Sequence, residues 1–199
     1  VMHGPRRYGS EIAPDRLFLN LKNPRAARGN PLQGAADQLS LLRFAAALSF
    51  SAGSSPTGTA FNLATPAAFW GHSQGATVGA IALPYGQWNG ALLAGVGAGF
   101  RDAMVSKSRP FELNSVLPLA LEDFTSVGEL PHGASHPVLS ILQPFLDPAD
   151  PGVYARVVAD QHLFQVYGTH DKYTPRTVQA NYALAADAYR VLAREDRSR

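Results

Sequence analysis

No cysteine occurs among the 199 residues, which excludes disulfides and thiolate metal sites and leaves the compartment open. Long apolar runs are missing as well, and nothing is long enough to span a bilayer as a helix. No secretory signal peptide is visible. Charged residues make up only 16% of the chain and their net charge is +2. The basic positions are scattered, so no nucleic-acid partner is expected, and Arg6-Arg7 and Arg194-Glu195-Asp196-Arg197 read as solvated surface. His132 and His136 stand in loop-like sequence with nothing at metal-ligand spacing beside them, so neither metal nor cofactor is expected. What the chain does have is apolar residues, 46% of the total, enough for one globular domain with a proper core.

One stretch carries chemistry. Ala67-Ala68-Phe69-Trp70-Gly71-His72-Ser73-Gln74-Gly75-Ala76-Thr77-Val78-Gly79 holds Gly-x-Ser-x-Gly at Gly71, Ser73 and Gly75. The apolar run before it suits a buried strand, and the small residues behind it suit a helix start. A serine hydroxyl becomes a nucleophile when a tight strand-to-helix turn thrusts it out within reach of a base. Such a turn needs strained backbone angles, hence little or no side chain at the flanking positions. The amide of Gln74 then points at the oxyanion of an attacked carbonyl, helped by the positive end of the following helix. His72, beside the nucleophile, points away from it. The bland alternative for Ser73 is an ordinary glycine-rich turn.

Around this elbow the chain alternates between strand and helix patterns. Residues 5–30 read as a long loop. A helix is predicted from Asn30 as N-cap and Pro31, with Leu32, Ala35, Ala36, Leu39, Leu42 and Ala46 as the face packed on a sheet. Gly53 to Gly58 breaks the chain before the elbow strand. The helix after Ser73 runs from Ala76 to Leu83, and Ala91 to Gly95 is the next strand. Gly95-Val96-Gly97-Ala98-Gly99 resembles a nucleotide loop but lacks the final glycine and the acidic partner, so it reads as a flexible strand exit. Residues 100–160 break the rhythm with helical patches at Phe111 to Leu121, Pro137 to Leu146 and Pro151 to Val158, and a cap or lid is expected there. Asp147 and Asp150 read first as turn and cap residues, with catalytic acid as the alternative. His162 to Tyr167 is the last strand, and a helix capped by Thr174 follows from Pro175 to about Ala193. The pattern predicts an α/β protein with a mostly parallel sheet flanked by helices.

A serine nucleophile needs a base, and the base needs an orienting acid. Asp171 directly follows a strand, at the end where ligands collect in parallel sheets. Its alternative is a plain turn carboxylate. At this point the residues resemble the α/β-hydrolase fold, through Gly71-His72-Ser73-Gln74-Gly75 and through Tyr167-Gly168-Thr169-His170-Asp171-Lys172-Tyr173-Thr174-Pro175, which is similar to that family's acid loop. Asn20 to Asp37 and His136-Pro137-Val138-Leu139 look more narrowly like bacterial esterase- or lipase-like hydrolases.

The resemblance implies a serine hydrolase of carboxylic esters, with a small-molecule ester as partner. Ser73 is the implied nucleophile, Gln74 the oxyanion amide and Asp171 the acid, in the order Ser, Asp, His. The sequence departs from this pattern in that no histidine follows Asp171. At the front, His3-Gly4 stands where an oxyanion-loop His-Gly, or the His-Gly after the next strand, is expected. Both ends therefore read as those of an internal fragment of a longer hydrolase. On this reading the isolated chain is inactive and prone to associate. The rival reading is a non-catalytic module of the same fold that uses its cleft for binding. Acyl and alcohol specificity and oligomeric state are not legible.

Overall fold

The computed structural model describes residues 23–63, 66–109, 132–158 and 162–188, with Phe18, Asn20, Glu112, Asn114 and Leu117 besides. His3-Gly4, most of the patch from Phe111 to Leu121, and Tyr189 to Ala193 lie outside the described residues.

The first helix, α1 (Pro24–Ala47), begins seven residues earlier than the sequence predicts. Two Asn-Pro pairs compete to start it, and the earlier one wins. Asn23 Oδ1 accepts the Ala26 N–H at 3.2 Å and Pro24 takes the first helical position, where its missing N–H costs nothing. Pro31 is then carried inside the helix. Its buried stripe of Ala27, Pro31, Gly34 and Ala35 is small enough for close packing. This face lies on another helix rather than on a sheet, since Ala35 clusters with Ile81 and Ala82. A short antiparallel hairpin follows, β1 (Ser49–Phe50) with β2 (Phe61–Asn62), clipped by Phe50 stacked on Phe61 at 4.7 Å.

The larger sheet is parallel, in the order β3 (Ala67–His72), β4 (Trp88–Ala94), β5 (Leu163–Val166). One face carries Phe69, Ala91 and Leu93. It is covered by α2 (Gln74–Ala82), α5 (Pro151–Val158) and α6 (Arg176–Ala185), which bring Ala76, Ala80, Ala155, Val158 and Tyr182 into the same core. Gly79 lets the Phe69 ring lie directly on α2, where any Cβ would collide with it.

The opposite face behaves differently. Trp70, Leu92 and Phe164 stand in one hydrogen-bonded row, and Trp70 is 78% exposed, Phe164 57% and Val166 44%. Parallel sheets are normally covered on both sides; here the described residues cover one.

The described residues of 100–160 contribute to two cores. Two helices, α3 (Phe100–Ser106) and α4 (Pro137–Leu146), share a satellite core of Met104, Leu117 and Leu139, whereas α5 rejoins the main core. The predicted start at His136-Pro137 is present, with His136 Nδ1 accepting the Val138 N–H at 3.2 Å. The last helix has Pro175 at its N-cap, not Thr174, and it ends at Ala185, where Asp187 adopts a φ of 52°. The described architecture is therefore α/β, with three parallel strands and six helices, and does not by itself amount to an α/β-hydrolase fold. No described helix is long and apolar enough to cross a membrane.

Candidate active site

All three parallel strands end on one side of the sheet, and the candidate residues leave from those ends. Ser73 follows β3 directly and has φ 53° and ψ −117°, a conformation an L-residue adopts only under strain of order 1–3 kcal/mol. The surrounding bonds hold it there. Ser73 N–H donates to the Ala94 carbonyl at 2.8 Å, and its own carbonyl accepts the Thr77 N–H at 3.0 Å. Serine at a helix N-cap ordinarily spends its hydroxyl on the first-turn amides. Ser73 makes no such side-chain bond, and its residue is exposed.

The two flanking glycines differ. A Cβ on Gly71 would sit 2.6 Å from the Gly75 carbonyl oxygen and 2.8 Å from Ala76 N, so backbone meets backbone there and only glycine fits. At Gly75 an added Cβ meets nothing within 4 Å, so the close backbone approach is at Gly71. Gln74 opens α2, so its N–H has no acceptor within the helix. His72 is exposed on the uncovered face of β3, away from the direction of Gly71.

The two carboxylate oxygens of Asp171 have different surroundings. Oδ1 is a turn acceptor, taking the N–H groups of Tyr173 at 2.8 Å and Thr174 at 3.0 Å. Oδ2 faces the other way, toward Gly95. A Cβ placed on Gly95 would lie 3.8 Å from Asp171 Oδ2 and 3.9 Å from Ser73 N. Gly95 thus separates the serine and the acid, and its φ of 71° is one that glycine adopts freely. The loop it opens is not a flexible exit, because Val96 is fully buried and Gly97 packs against Thr174 and Val178.

The described histidines lie elsewhere. His170 is exposed with Nδ1 3.0 Å from the Thr169 hydroxyl, His136 is a buried helix cap, and His162 precedes β5 at the opposite end of the sheet. Asp147 accepts from Gln143 Nε2 at 2.8 Å, within its own helix–turn unit.

Lys107, which the sequence does not single out, belongs to this neighbourhood, and Asp150, read there as a cap residue, makes more bonds than a cap. Lys107 follows α3 and is half-buried, and the withdrawal from water lowers its amine pKa, while the Asp171 carboxylate pulls it back up. Asp150 is a hub rather than a simple cap. Its carboxylate accepts the N–H groups of Gly99 and Phe100 at 3.0 Å each and of Gly152 at 2.9 Å, together with Gln143 Nε2 at 2.9 Å. Neither role has a local signature, since each depends on segments far apart in the chain. No group of three or more potential metal-binding side chains occurs among the described residues.

No known protein family, curated protein or solved structure matches the chain. Its resemblance to the α/β-hydrolases therefore rests on the sequence motifs.

Proposed function

We propose that the protein is a serine hydrolase acting on carboxylic esters, and that its sheet is part of an α/β-hydrolase fold. The observation that carries this reading is the backbone of Ser73: strained, at a strand–helix junction, with Gly71 pressed against Gly75 and the hydroxyl unused as a cap. Ser73 Oγ attacks the ester carbonyl and gives its proton to a base, and the Gln74 N–H stabilises the oxyanion. The alcohol leaves with that proton, and water then releases the acid from the acyl-serine. Asp171 Oδ2 orients the base. The base, a histidine in the order Ser, Asp, His, would stand between Asp171 and Ser73.

A fluorophosphonate, which forms a phosphonyl ester with an activated serine as fluoride leaves, tests the assignment. The probe should label Ser73, and Ser73→Ala should abolish labelling, with turnover falling by a factor on the order of 10⁶. Labelling that persists in Ser73→Ala refutes the nucleophile. The second reading, a binding module with the same cleft, is favoured by one fact: among the described residues no histidine joins Asp171 to Ser73. A well-folded protein inert to the probe would decide for it.

A further inference from the structure

Two side-chain amides are set into the core beneath the acid loop. Gln179, on α6, is fully buried, and Gln165, on β5, is half-buried beside it, its Nε2 donating to the Gln179 carbonyl at 3.0 Å. Each keeps an Oε1 that is buried and meets no donor among the described residues. A core amide with an orphaned oxygen costs stability, because nothing offsets the loss of its water. An apolar side chain of similar length would avoid that cost. What the Gln179 side chain gains instead is one bond, from its Nε2 to the Thr174 carbonyl. A carbonyl only accepts, so the nitrogen of the side chain must be the atom that faces it.

Thr174 is where the candidate site meets the core. Its N–H donates to Asp171 Oδ1 at 3.0 Å, and its carbonyl is held by Gln179. Its methyl lies against Gly97, where an added Cβ would come within 2.9 Å of it. Gly97 belongs to the loop whose first residue, Gly95, neighbours both Asp171 Oδ2 and Ser73 N. One residue thus joins the carboxylate, the buried amide and the loop that runs between acid and serine.

We infer that Gln179 is a positioning residue for Asp171: its buried amide pins the Thr174 carbonyl, which keeps the Thr174 N–H on Oδ1 and leaves Oδ2 on the Gly95 side. The effect on catalysis rests on the hydrolase reading, whereas the coupling of Gln179 to the Asp171 turn does not. The plainer role for such a bond is to strengthen the start of α6, and the two roles differ in what a substitution changes. A bond that serves α6 shows as lost stability. A bond that serves the turn shows as a loosened turn in a chain as stable as before.

Gln179→Met in the full-length protein separates them, since it removes the donor and the orphaned oxygen together at similar volume. The melting temperature should rise or hold within about 4 °C. In hydrogen exchange followed by NMR, the Thr174 amide should exchange about tenfold faster, while that of Leu93, fully buried in β4, keeps its rate. In fluorophosphonate labelling of Ser73, the chemical step should slow about tenfold, as misplacement of a supporting group does, with affinity for the reagent unchanged. Gln165→Met, which removes the other orphaned oxygen and leaves the Thr174 bond in place, is the control and should label at the wild-type rate. The inference is overturned if the Thr174 amide of Gln179→Met exchanges at the wild-type rate, if that variant labels at full rate, or if Gln165→Met slows labelling as much. Should wild-type Ser73 resist the reagent while Thr174 exchange still speeds up in Gln179→Met, the hydrolase reading falls and the coupling of Gln179 to the Asp171 turn stands.

Discussion

Asp150 offers the sharpest test of the packing. It is 5% exposed and serves four donors: two amides that open α3, one in the first turn of α5, and the Gln143 side chain on α4. Asp150→Asn keeps the shape but leaves one acceptor oxygen. The better amide orientation keeps that oxygen on Gly99, Phe100 and Gln143, and turns its NH₂ onto the Gly152 N–H. One hydrogen bond to a charged acceptor, worth about 1.5–3 kcal/mol, is lost outright. The other three weaken, because bonds to a neutral acceptor are roughly half as strong. The sum is about 4–7 kcal/mol, a large share of a typical total of about 5–15 kcal/mol. Urea unfolding followed by circular dichroism reads it directly: at a slope of about 2 kcal/mol/M, the midpoint drops by about 2–3.5 M. Asn23→Ala, which removes an exposed cap, is the comparison and should cost about 1 kcal/mol. A midpoint shift in Asp150→Asn no larger than in Asn23→Ala would refute the hub.

Two further outcomes follow from single contacts. Gly71→Ala places a methyl 2.6 Å from the Gly75 carbonyl, so the turn must open; labelling of Ser73 should fall to background while circular dichroism still shows a folded chain. Tyr182 is fully buried with its hydroxyl unpartnered among the described residues, and burial raises its pKa. Tyr182→Phe should therefore be neutral or raise the melting temperature, by about 1 kcal/mol of stability, whereas a loss above that amount would reveal a partner for the hydroxyl.

The elbow was legible in the sequence because its requirement is local: one glycine that no other residue can replace, next to a serine, between a strand pattern and a helix pattern. The start of α1 was not, since Asn23-Pro24 and Asn30-Pro31 satisfy the same capping chemistry and only packing against α2 rewards the longer helix. The cap of the last helix was misassigned for a related reason. Asp171 Oδ1 takes the Thr174 amide, so the turn is organised by the acid three residues before the threonine. The separation of α5 from α3 and α4 is not legible in the sequence, because it rests on contacts between segments far apart in the chain. What separates them is the Asp150 carboxylate between them and the core each one joins.

The uncovered face of the sheet also sets how stability responds to temperature. The heat-capacity increment of unfolding comes from apolar area newly exposed to water, about 0.45 cal/K/mol for each Å². Trp70, Phe164 and Val166 are hydrated in the folded state already and add little to it. The fold described here should thus unfold with a smaller increment than one of equal composition whose sheet is covered on both sides, giving a flatter stability curve and a broader temperature of maximum stability. Whatever settles on the Trp70–Leu92–Phe164 row dries that surface and carries a negative heat-capacity change of its own, so occupancy of the face is a quantity calorimetry can weigh without any assay of activity.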